Sequence, residues 1–344
     1  MTESVLFEQK GRLGLITLNR PAALNALNRG MCLAIYEQLG AWADDDSVGV
    51  VAIVGAGEKA FCAGGDVVGL HEAGKAGSTE WEDFFADEYR MNHRIGTYSK
   101  PYVAVIDGIT MGGGVGLSIH APYRVATEKT LFAMPETGIG LIPDVGGTHA
   151  LARLDGEMGT WLGLTGARLK AADCLHAGIA THYARSDDVD ALLSALAADG
   201  DSVADAMVPY EALPEQPPEM QAHRADIDRH FAHDSAEEIM ASLSMGDDWA
   251  EGQRDLMMRM SPTSMKLTLR ALREGQDDDL ARCLKREYRL VGNIKAGEDF
   301  FEGVRAQLID KDRKPRWSPS NLRDVTDELV DGYFAEPPHG DLML

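Results

Sequence analysis

The chain has 344 residues, of which 44% are hydrophobic, and this is enough for one large domain or two modest domains with a buried core. Its formal net charge of −22 would repel nucleic-acid phosphates and anionic membrane surfaces, so the expected partner is a diffusible small molecule and neither nucleic acid nor membrane. An anionic ligand would need a local patch of basic residues.

The cysteines and the N-terminal residues bear on metal sites and location. The four cysteines form no CxxC pair, which argues against a zinc knuckle or a redox dithiol: Cys32, Cys62, Cys174 and Cys283. The first residues show neither a basic n-region nor an Arg/Ser-rich leader, and no apolar run approaches the ~20 residues of a membrane-spanning helix. We therefore expect a cytoplasmic protein with no metal site.

Strand-like and helix-like segments alternate in the first half of the chain. Their predicted order is a strand at 13–18, a helix at 28–42, a strand at 48–54, a helix at 81–98, a strand at 102–106, and extended pieces at 124–127 and 131–132. This alternation is typical of an α/β fold.

A proline-rich stretch separates the second half. Residues 209–218 contain four prolines, which cannot continue a helix, and we interpret them as a linker. Beyond it the predicted segments are helical: 220–231, 235–243, 263–273, 279–292 and 299–308. The sequence thus predicts a core domain at 1–205 and an all-helical C-terminal region at 206–344.

The first chemically suggestive segment is Phe-Cys-Ala-Gly-Gly-Asp at 61–66. Two adjacent glycines after a strand permit close backbone approach and leave an amide exposed as a donor. Taken alone, the same letters also describe a tight turn in which Asp66 caps a helix.

A second glycine segment spans 108–117, Gly-Ile-Thr-Met-Gly-Gly-Gly-Val-Gly-Leu, between a strand and a possible helix start. Amides at a helix N-terminus attract partial negative charge. The segment lacks the Gly-Lys-Ser/Thr ending of a nucleotide P-loop, which argues against a nucleotide-binding loop.

The third segment, 132–147, places Glu136 and Asp144 among apolar residues and glycines. Carboxylates in such surroundings are candidates for acid–base or nucleophilic work, whereas an isolated acidic residue usually caps a helix or lies in solvent. The companion glycine loops favour the catalytic interpretation.

Together with Asn-Arg-Pro-Ala-Ala-Leu-Asn-Ala-Leu at 19–27, these segments resemble the crotonase (enoyl-CoA hydratase/isomerase) superfamily over roughly residues 5–185. The resemblance implies a crotonase-like spiral of ββα units in which the amides of Gly65 and Gly113 form an oxyanion hole for a thioester oxygen. Fixed N–H dipoles stabilise charge that develops on that oxygen. The positions matching the family's coenzyme A contacts are Ala22, Leu24, Ala63, Gly65, Asp66 and Val67, with Lys59 as a candidate phosphate partner.

Within the superfamily, the segments 111–118, 132–147 and 303–317 are most similar to the 3-hydroxyisobutyryl-CoA hydrolases, which act in valine degradation. This resemblance implies that Glu88, Gly113, Glu136 and Asp144 bind substrate and that Glu136, Asp144, Gly65 and Gly113 are catalytic. Coenzyme A is then part of the substrate, and no separate cofactor is expected. The oligomeric state is open, and a homo-oligomer is one option.

Alternatives remain open at this point. A hydratase or isomerase of the superfamily typically carries a second glutamate at the position of Gly116, and its absence favours hydrolysis. For hydrolysis, Glu136 either attacks the carbonyl or activates a water, and the sequence does not choose between them. A third option is a non-catalytic acyl-CoA-binding protein with this fold.

Three other patterns are set aside. The run at 116–120 begins like a nucleophile elbow around Ser118, but His120 occupies the position of the second glycine. The histidines at 223, 230 and 233 lie amid Arg and Asp and are typical of a solvated helix face. Gly-Ile-Gly at 138–140 lacks the third glycine of a dinucleotide fingerprint.

Overall fold

The computed structural model describes residues 3–198, 202–210 and 213–344. Within them ten strands form two sheets: β1 Val5–Lys10, β2 Leu13–Leu18, β3 Val50–Gly55, β4 Ala60–Cys62, β5 Tyr102–Ile106, β6 Ile109–Met111, β7 Tyr123–Ala126, β8 Leu131–Ala133, β9 Leu169–Lys170 and β10 His182–Tyr183. The predicted strands at 13–18 and 102–106 are confirmed, and the one predicted at 48–54 begins two residues later.

The described residues also form sixteen α-helices: α1 Arg29–Ala43, α2 Val67–Lys75, α3 Glu80–Gly96, α4 Gly113–Gly116, α5 Gly147–Leu151, α6 Met158–Thr165, α7 Ala171–His176, α8 Val189–Ala197, α9 Val203–Met207, α10 Arg224–Phe231, α11 Ala236–Leu243, α12 Asp248–Met257, α13 Pro262–Gly275, α14 Leu280–Ile294, α15 Asp299–Val304 and α16 Asp327–Phe334. In this part of the chain, none of the helices combines the length and the apolar character needed to cross a bilayer.

Internal contacts divide the chain into two compact units, each built from three separate segments. The first unit comprises Met1–Gly65, Arg90–Ala133 and Arg168–Gln221, and the second comprises Asp66–Tyr89, Met134–Ala167 and Ala222–Leu344. The boundary expected between residues 205 and 206 falls inside the last segment of the first unit. The domains at 1–205 and 206–344 therefore stay a prediction.

The first unit is the α/β part of the molecule. Its larger sheet has the order β1-β2-β3-β5-β7-β10, in which only the β1–β2 pair is antiparallel. β3 and β5 are almost continuous runs of β-branched and apolar residues, as expected for parallel strands that are buried on both faces. Leu192 and Leu196 of α8 belong to the same buried cluster as Val50 and Val103 of this sheet.

The smaller sheet of the first unit has the order β4-β6-β8-β9. β4 and β6 run parallel, with Cys62 opposite Thr110, so their carboxyl ends lie at the same edge. The two glycine loops begin at that edge, because one follows β4 and the other follows β6.

The second unit is mainly helical. Its longer helices begin at side-chain caps: Ser261 precedes Pro262 at the start of α13, and Asp279 accepts a hydrogen bond from the Arg282 amide at 2.8 Å at the start of α14. The helices predicted at 235–243, 263–273 and 279–292 are confirmed, whereas α12 and α16 were not predicted. Of the predicted linker, residues 211 and 212 lie outside the described residues.

Candidate active site

The two glycine loops of the first unit meet. Gly64 has φ +116° and Gly112 has φ +48°, which are conformations that favour glycine. A methyl group built on Gly64 would lie 3.6 Å from the Met111 carbonyl oxygen and 4.0 Å from the Gly113 nitrogen. The loops after β4 and β6 therefore bring their backbones side by side.

The amides of Gly65 and Gly113 are available as donors. Gly113 is the first residue of α4 and has no acceptor within the helix. Gly65 forms an isolated bridge with Leu27, whose own amide donates to the Gly64 carbonyl at 2.8 Å. Among the described residues, neither the Gly65 N–H nor the Gly113 N–H donates a hydrogen bond. This arrangement is compatible with the predicted oxyanion hole.

The residues around these amides have packing roles. A β-carbon on Gly114 would lie 2.2 Å from the Cys62 carbonyl oxygen, so only glycine fits there. The Ser118 hydroxyl donates to the Gly114 carbonyl at 2.9 Å and is buried. Ser118 thus holds the end of the α4 turn, which agrees with setting the nucleophile elbow aside. Gly116 is also buried.

Two of the predicted coenzyme A contacts line one pocket of the first unit. The pocket has a volume of about 260 Å³, and its walls include Leu24 and Lys59. Asn25, which is fully buried, shapes it by donating to the carbonyls of Ala56 and Ala60, both at 2.9 Å. Its side-chain oxygen accepts the Arg20 amide at 2.9 Å. These bonds give Asn25, in the motif at 19–27, a structural role.

The other predicted coenzyme A contacts lie on loops and at the start of a helix. The Ala63 amide donates to the Leu24 carbonyl at 3.0 Å, and Ala22 lies exposed in the 3₁₀ turn Pro21–Ala23. In the second unit, Asp66 caps α2 by accepting the Gly69 amide at 3.3 Å, and Val67 is the half-buried first residue of that helix. The cap is confirmed, and contact with coenzyme A stays a prediction.

Three predicted carboxylates lie together in the second unit. Glu88 is on α3, Glu136 opens the 3₁₀ turn Glu136–Ile139, and Asp144 lies shortly before α5. The exposed fractions of the three residues are 2%, 5% and 4%, so all three are almost completely shielded from solvent. Burying three carboxyl groups is unfavourable unless protons, hydrogen bonds or a ligand compensate.

Burial raises the pKa of all three groups, and neighbouring carboxylates raise the pKa of Glu136 and Glu88 further. Burial raises the pKa of Asp144 to about 6. Burial and then the charge of Asp144 raise the pKa of Glu136 well above its usual value. Burial is the largest cause of the raised pKa of Glu88, followed by the charge of Asp144 and then by that of Glu136. Ionisation of one group therefore opposes ionisation of the others, which is the condition for acid and base roles near neutral pH.

Two of these groups have unused hydrogen-bonding capacity. Glu88 Oε1 and Glu136 Oε2 are buried and have no hydrogen-bond partner among the described residues. A buried polar atom without a partner is costly and calls for a ligand or a water. A substrate hydroxyl or an attacking water would satisfy these atoms.

Sequence reasoning missed two residues of this cluster. The Tyr89 hydroxyl donates to Asp144 Oδ2 at 2.6 Å. Glu287 of α14 accepts hydrogen bonds from the Gly146 amide at 2.7 Å and from the Thr148 amide at 3.0 Å. Neither residue stands in a recognisable motif. Only Tyr89 could have been suspected from the sequence, because it directly follows Glu88, a predicted substrate contact.

The histidines at 223 and 230 have structural partners. The His223 ring stacks on Trp249 with centroids 4.9 Å apart. His230 is buried, and its Nδ1 lies 2.8 Å from the Ser242 hydroxyl. No group of three or more potential metal ligands is assembled within the described part of the chain.

Comparisons with known proteins cover nearly the whole chain. The family model described as enoyl-CoA hydratase/isomerase matches residues 13–334. A Danio rerio protein named 3-hydroxyisobutyryl-CoA hydrolase, mitochondrial, is 50% identical over 99% of this chain and 91% of its own length. The Homo sapiens protein of that name is 46% identical over the same shares, 99% and 91%.

Two solved structures share the fold closely. One, named a carnitinyl-CoA dehydratase from Mycobacterium thermoresistibile, is 41% identical with a TM-score of 0.93 over 98% of each chain. The other, named an enoyl-CoA hydratase from Rhodobacter sphaeroides, is 41% identical with a TM-score of 0.92 over 99% of this chain and 100% of its own. The predicted crotonase-like α/β fold is confirmed by these matches.

The comparisons also correct one prediction. The similar curated proteins are named as mitochondrial, which points to the mitochondrion rather than the cytoplasm. The cytoplasmic location predicted from the sequence is therefore wrong. That prediction rested on the absence of a leader-like pattern, which says nothing about where relatives of the protein work.

Proposed function

The chain belongs to the enoyl-CoA hydratase/isomerase family, and we propose that it hydrolyses the thioester of a short branched 3-hydroxyacyl-CoA, namely 3-hydroxyisobutyryl-CoA. The products are 3-hydroxyisobutyrate and coenzyme A, and the reaction belongs to valine degradation. The observation that carries the proposal is 46–50% identity, over nearly the full chain, to curated proteins that bear this activity in their names. Coenzyme A is part of the substrate, and the reaction needs no separate cofactor.

The amides of Gly65 and Gly113 polarise the thioester carbonyl and stabilise the oxyanion. Their lack of other acceptors among the described residues supports this role. Glu136 then acts in one of two ways. It attacks the carbonyl carbon, expels the coenzyme A thiolate and forms an anhydride that water cleaves, or it removes a proton from a water that attacks directly.

Asp144 and Glu88 have separate roles in the proposed reaction. Asp144, with a pKa raised to about 6, is mostly ionised at neutral pH and can accept a proton that is released when water attacks. Glu88 has a buried oxygen without a partner and accepts the C3 hydroxyl of the substrate. That hydrogen bond distinguishes a 3-hydroxyacyl group from a plain acyl group.

A hydratase is the second candidate, because the two solved relatives are named as a dehydratase and a hydratase. Against it stands Gly116, which offers no carboxylate where a hydratase of this superfamily has its second glutamate. One experiment decides: thiol release and enoyl absorbance are followed in parallel on crotonyl-CoA and 3-hydroxyisobutyryl-CoA. Fast hydration without thiol release would overturn the hydrolase, and binding without either signal would indicate a non-catalytic protein.

A further inference from the structure

We propose that Tyr89 and Glu287 are positioning residues for Asp144: Tyr89 fixes its carboxyl group, and Glu287 fixes the backbone turn that follows it. This inference rests on the proposed function, because it matters for activity only if Asp144 takes part in hydrolysis. It also gives the C-terminal helices a role, since Glu287 belongs to α14.

Tyr89 is held rigidly. Its side chain is fully buried, and its ring packs edge-on against Phe85 and Tyr288 with centroids 5.8 and 6.4 Å away. A ring fixed in this way directs its hydroxyl at one point, and that point is Asp144 Oδ2 at 2.6 Å. The short hydrogen bond to a carboxylate restricts both the rotation and the protonation of Asp144.

Glu287 holds the turn after Asp144. Its two carboxyl oxygens accept three hydrogen bonds, from the Gly146 amide at 2.7 Å, the Thr148 amide at 3.0 Å and the Thr148 hydroxyl at 2.6 Å. The turn needs such support because Val145 has φ +56°, an unfavourable conformation for a β-branched residue. The hydrogen bonds of Glu287 thus stabilise the strained turn that positions Asp144 in the cluster.

The charges around Asp144 make the Tyr89 bond important. The titratable groups that interact with Asp144 come from three other elements: Tyr89 and Glu88 on α3, Glu136 on its 3₁₀ turn and Glu287 on α14. Burial raises the pKa of Asp144, and the Tyr89 hydrogen bond is the main effect that lowers it. No cation contributes among the described residues. Tyr89 therefore favours the ionised form of Asp144.

The test is Tyr89→Phe, which removes one hydroxyl and keeps the ring. Aspartate labelled with ¹³C at the carboxyl carbon reports titration by NMR, and Asp144→Asn identifies the Asp144 signal. We expect the midpoint of Asp144 to rise from about 6 by about one pH unit, the size expected for a hydrogen bond to a charged group. The acidic limb of the kcat/KM profile should move by the same amount, with kcat falling more than KM rises.

The matched control is Tyr98→Phe. Tyr98 donates its hydroxyl to the Leu39 carbonyl at 3.0 Å, so this variant also loses one hydrogen bond but leaves the partners of Asp144 intact. It should change neither the midpoint of Asp144 nor the pH profile. For the turn, Thr148→Val removes one of the three bonds to Glu287 and should lower kcat, and Thr148→Ser should restore it because the hydroxyl returns.

The outcomes separate this inference from the proposed function. If the wild-type protein releases no coenzyme A from any short acyl-CoA, the proposed function fails, and the NMR midpoint still decides whether Tyr89 controls Asp144. If hydrolysis is observed but Tyr89→Phe, with an intact circular dichroism spectrum, leaves the midpoint or the pH profile unchanged, the positioning role is overturned. Equal kcat in Thr148→Val and the wild type would overturn the role of Glu287.

Discussion

The charge of Asp144 raises the pKa of Glu136, so the two carboxyl groups of the segment 132–147 interact within one buried cluster. Both are nearly inaccessible to solvent, and Glu136 Oε2 has no partner among the described residues. A carboxylate of raised pKa without a hydrogen-bond partner is more basic and more nucleophilic than one in water. Glu136 is therefore the first residue to test.

Glu136→Gln should lower kcat for 3-hydroxyisobutyryl-CoA on the order of 10³-fold or more, because an amide of the same shape is neither a nucleophile nor a base. Binding of the CoA ester should change little. Thiol release measures turnover, calorimetry measures binding, and circular dichroism must match the wild type. Unchanged turnover would rule out Glu136 as the reacting group.

Gly65→Pro and Gly113→Pro should each lower kcat on the order of 10²- to 10³-fold, since proline removes the amide that donates to the oxyanion. Gly113 is the first residue of α4, where proline is tolerated, so that variant should keep the fold.

The controls for these variants are Gly65→Ala and Gly113→Ala, which keep the N–H and separate a lost donor from lost space. Gly114→Ala serves as a packing control and should destabilise the protein, because its β-carbon would lie 2.2 Å from the Cys62 carbonyl oxygen. Near-normal kcat in both folded proline variants would exclude this oxyanion hole.

Glu88→Ala should narrow the preference for 3-hydroxyisobutyryl-CoA over isobutyryl-CoA, mainly by slowing the hydroxylated substrate. Glu88 Oε1 is buried without a partner among the described residues, and a substrate hydroxyl would supply one. The ratio of the two kcat/KM values is the measurement. An unaltered ratio would show that Glu88 does not accept a hydrogen bond from the C3 hydroxyl of the substrate.

Lys59→Ala should raise KM for acyl-CoA about 3- to 10-fold and leave kcat unchanged, as expected for an exposed cation that contacts a phosphate. Lys59 lines the pocket that also contains Leu24. The effect should shrink at high salt because ions screen exposed charges. Lys10→Ala is the control, since Lys10 is exposed and pairs with Glu8 at 3.2 Å. Equal KM values in both variants would show that Lys59 does not contact a phosphate of coenzyme A.

The free energy of unfolding should fall as pH rises from about 4 to about 8. The pKa of Asp144 is raised from 3.8 to about 6 and that of Glu287 from 4.5 to about 8. A raised acidic pKa means that the folded state holds its proton more tightly, so this stabilisation is present at low pH and lost as pH passes the folded pKa.

Asp144→Asn isolates one part of this effect. Between pH 4 and 7, the variant should gain stability relative to the wild type by about 3 kcal/mol, which corresponds to a shift of about two pH units. Urea titrations at several pH values measure this difference. A constant difference across the range would contradict the raised pKa of Asp144.

Several local features of this protein could be predicted from sequence. The glycine loops, Glu136, Asp144 and the strand Tyr102–Ile106 all follow from short patterns, because turn geometry and strand alternation are properties of neighbouring residues. Helix α6 could not be predicted in the same way. All eight of its residues are buried, so it has no polar face and no helical periodicity to read.

Only the tertiary structure decided how the carboxylates behave. Tyr89 and Glu287 stand in no recognisable motif. The hydrogen bond of Tyr89 joins it to a residue 55 positions away in the chain, and those of Glu287 join it to residues 141 and 139 positions away. Burial raises the pKa of Glu88, Glu136 and Asp144, and the charges of nearby carboxylates raise the pKa of Glu88 and Glu136 further. The sequence determines which acidic groups are present, and the packing of distant segments determines their protonation, because both desolvation and Coulomb repulsion are properties of three-dimensional position.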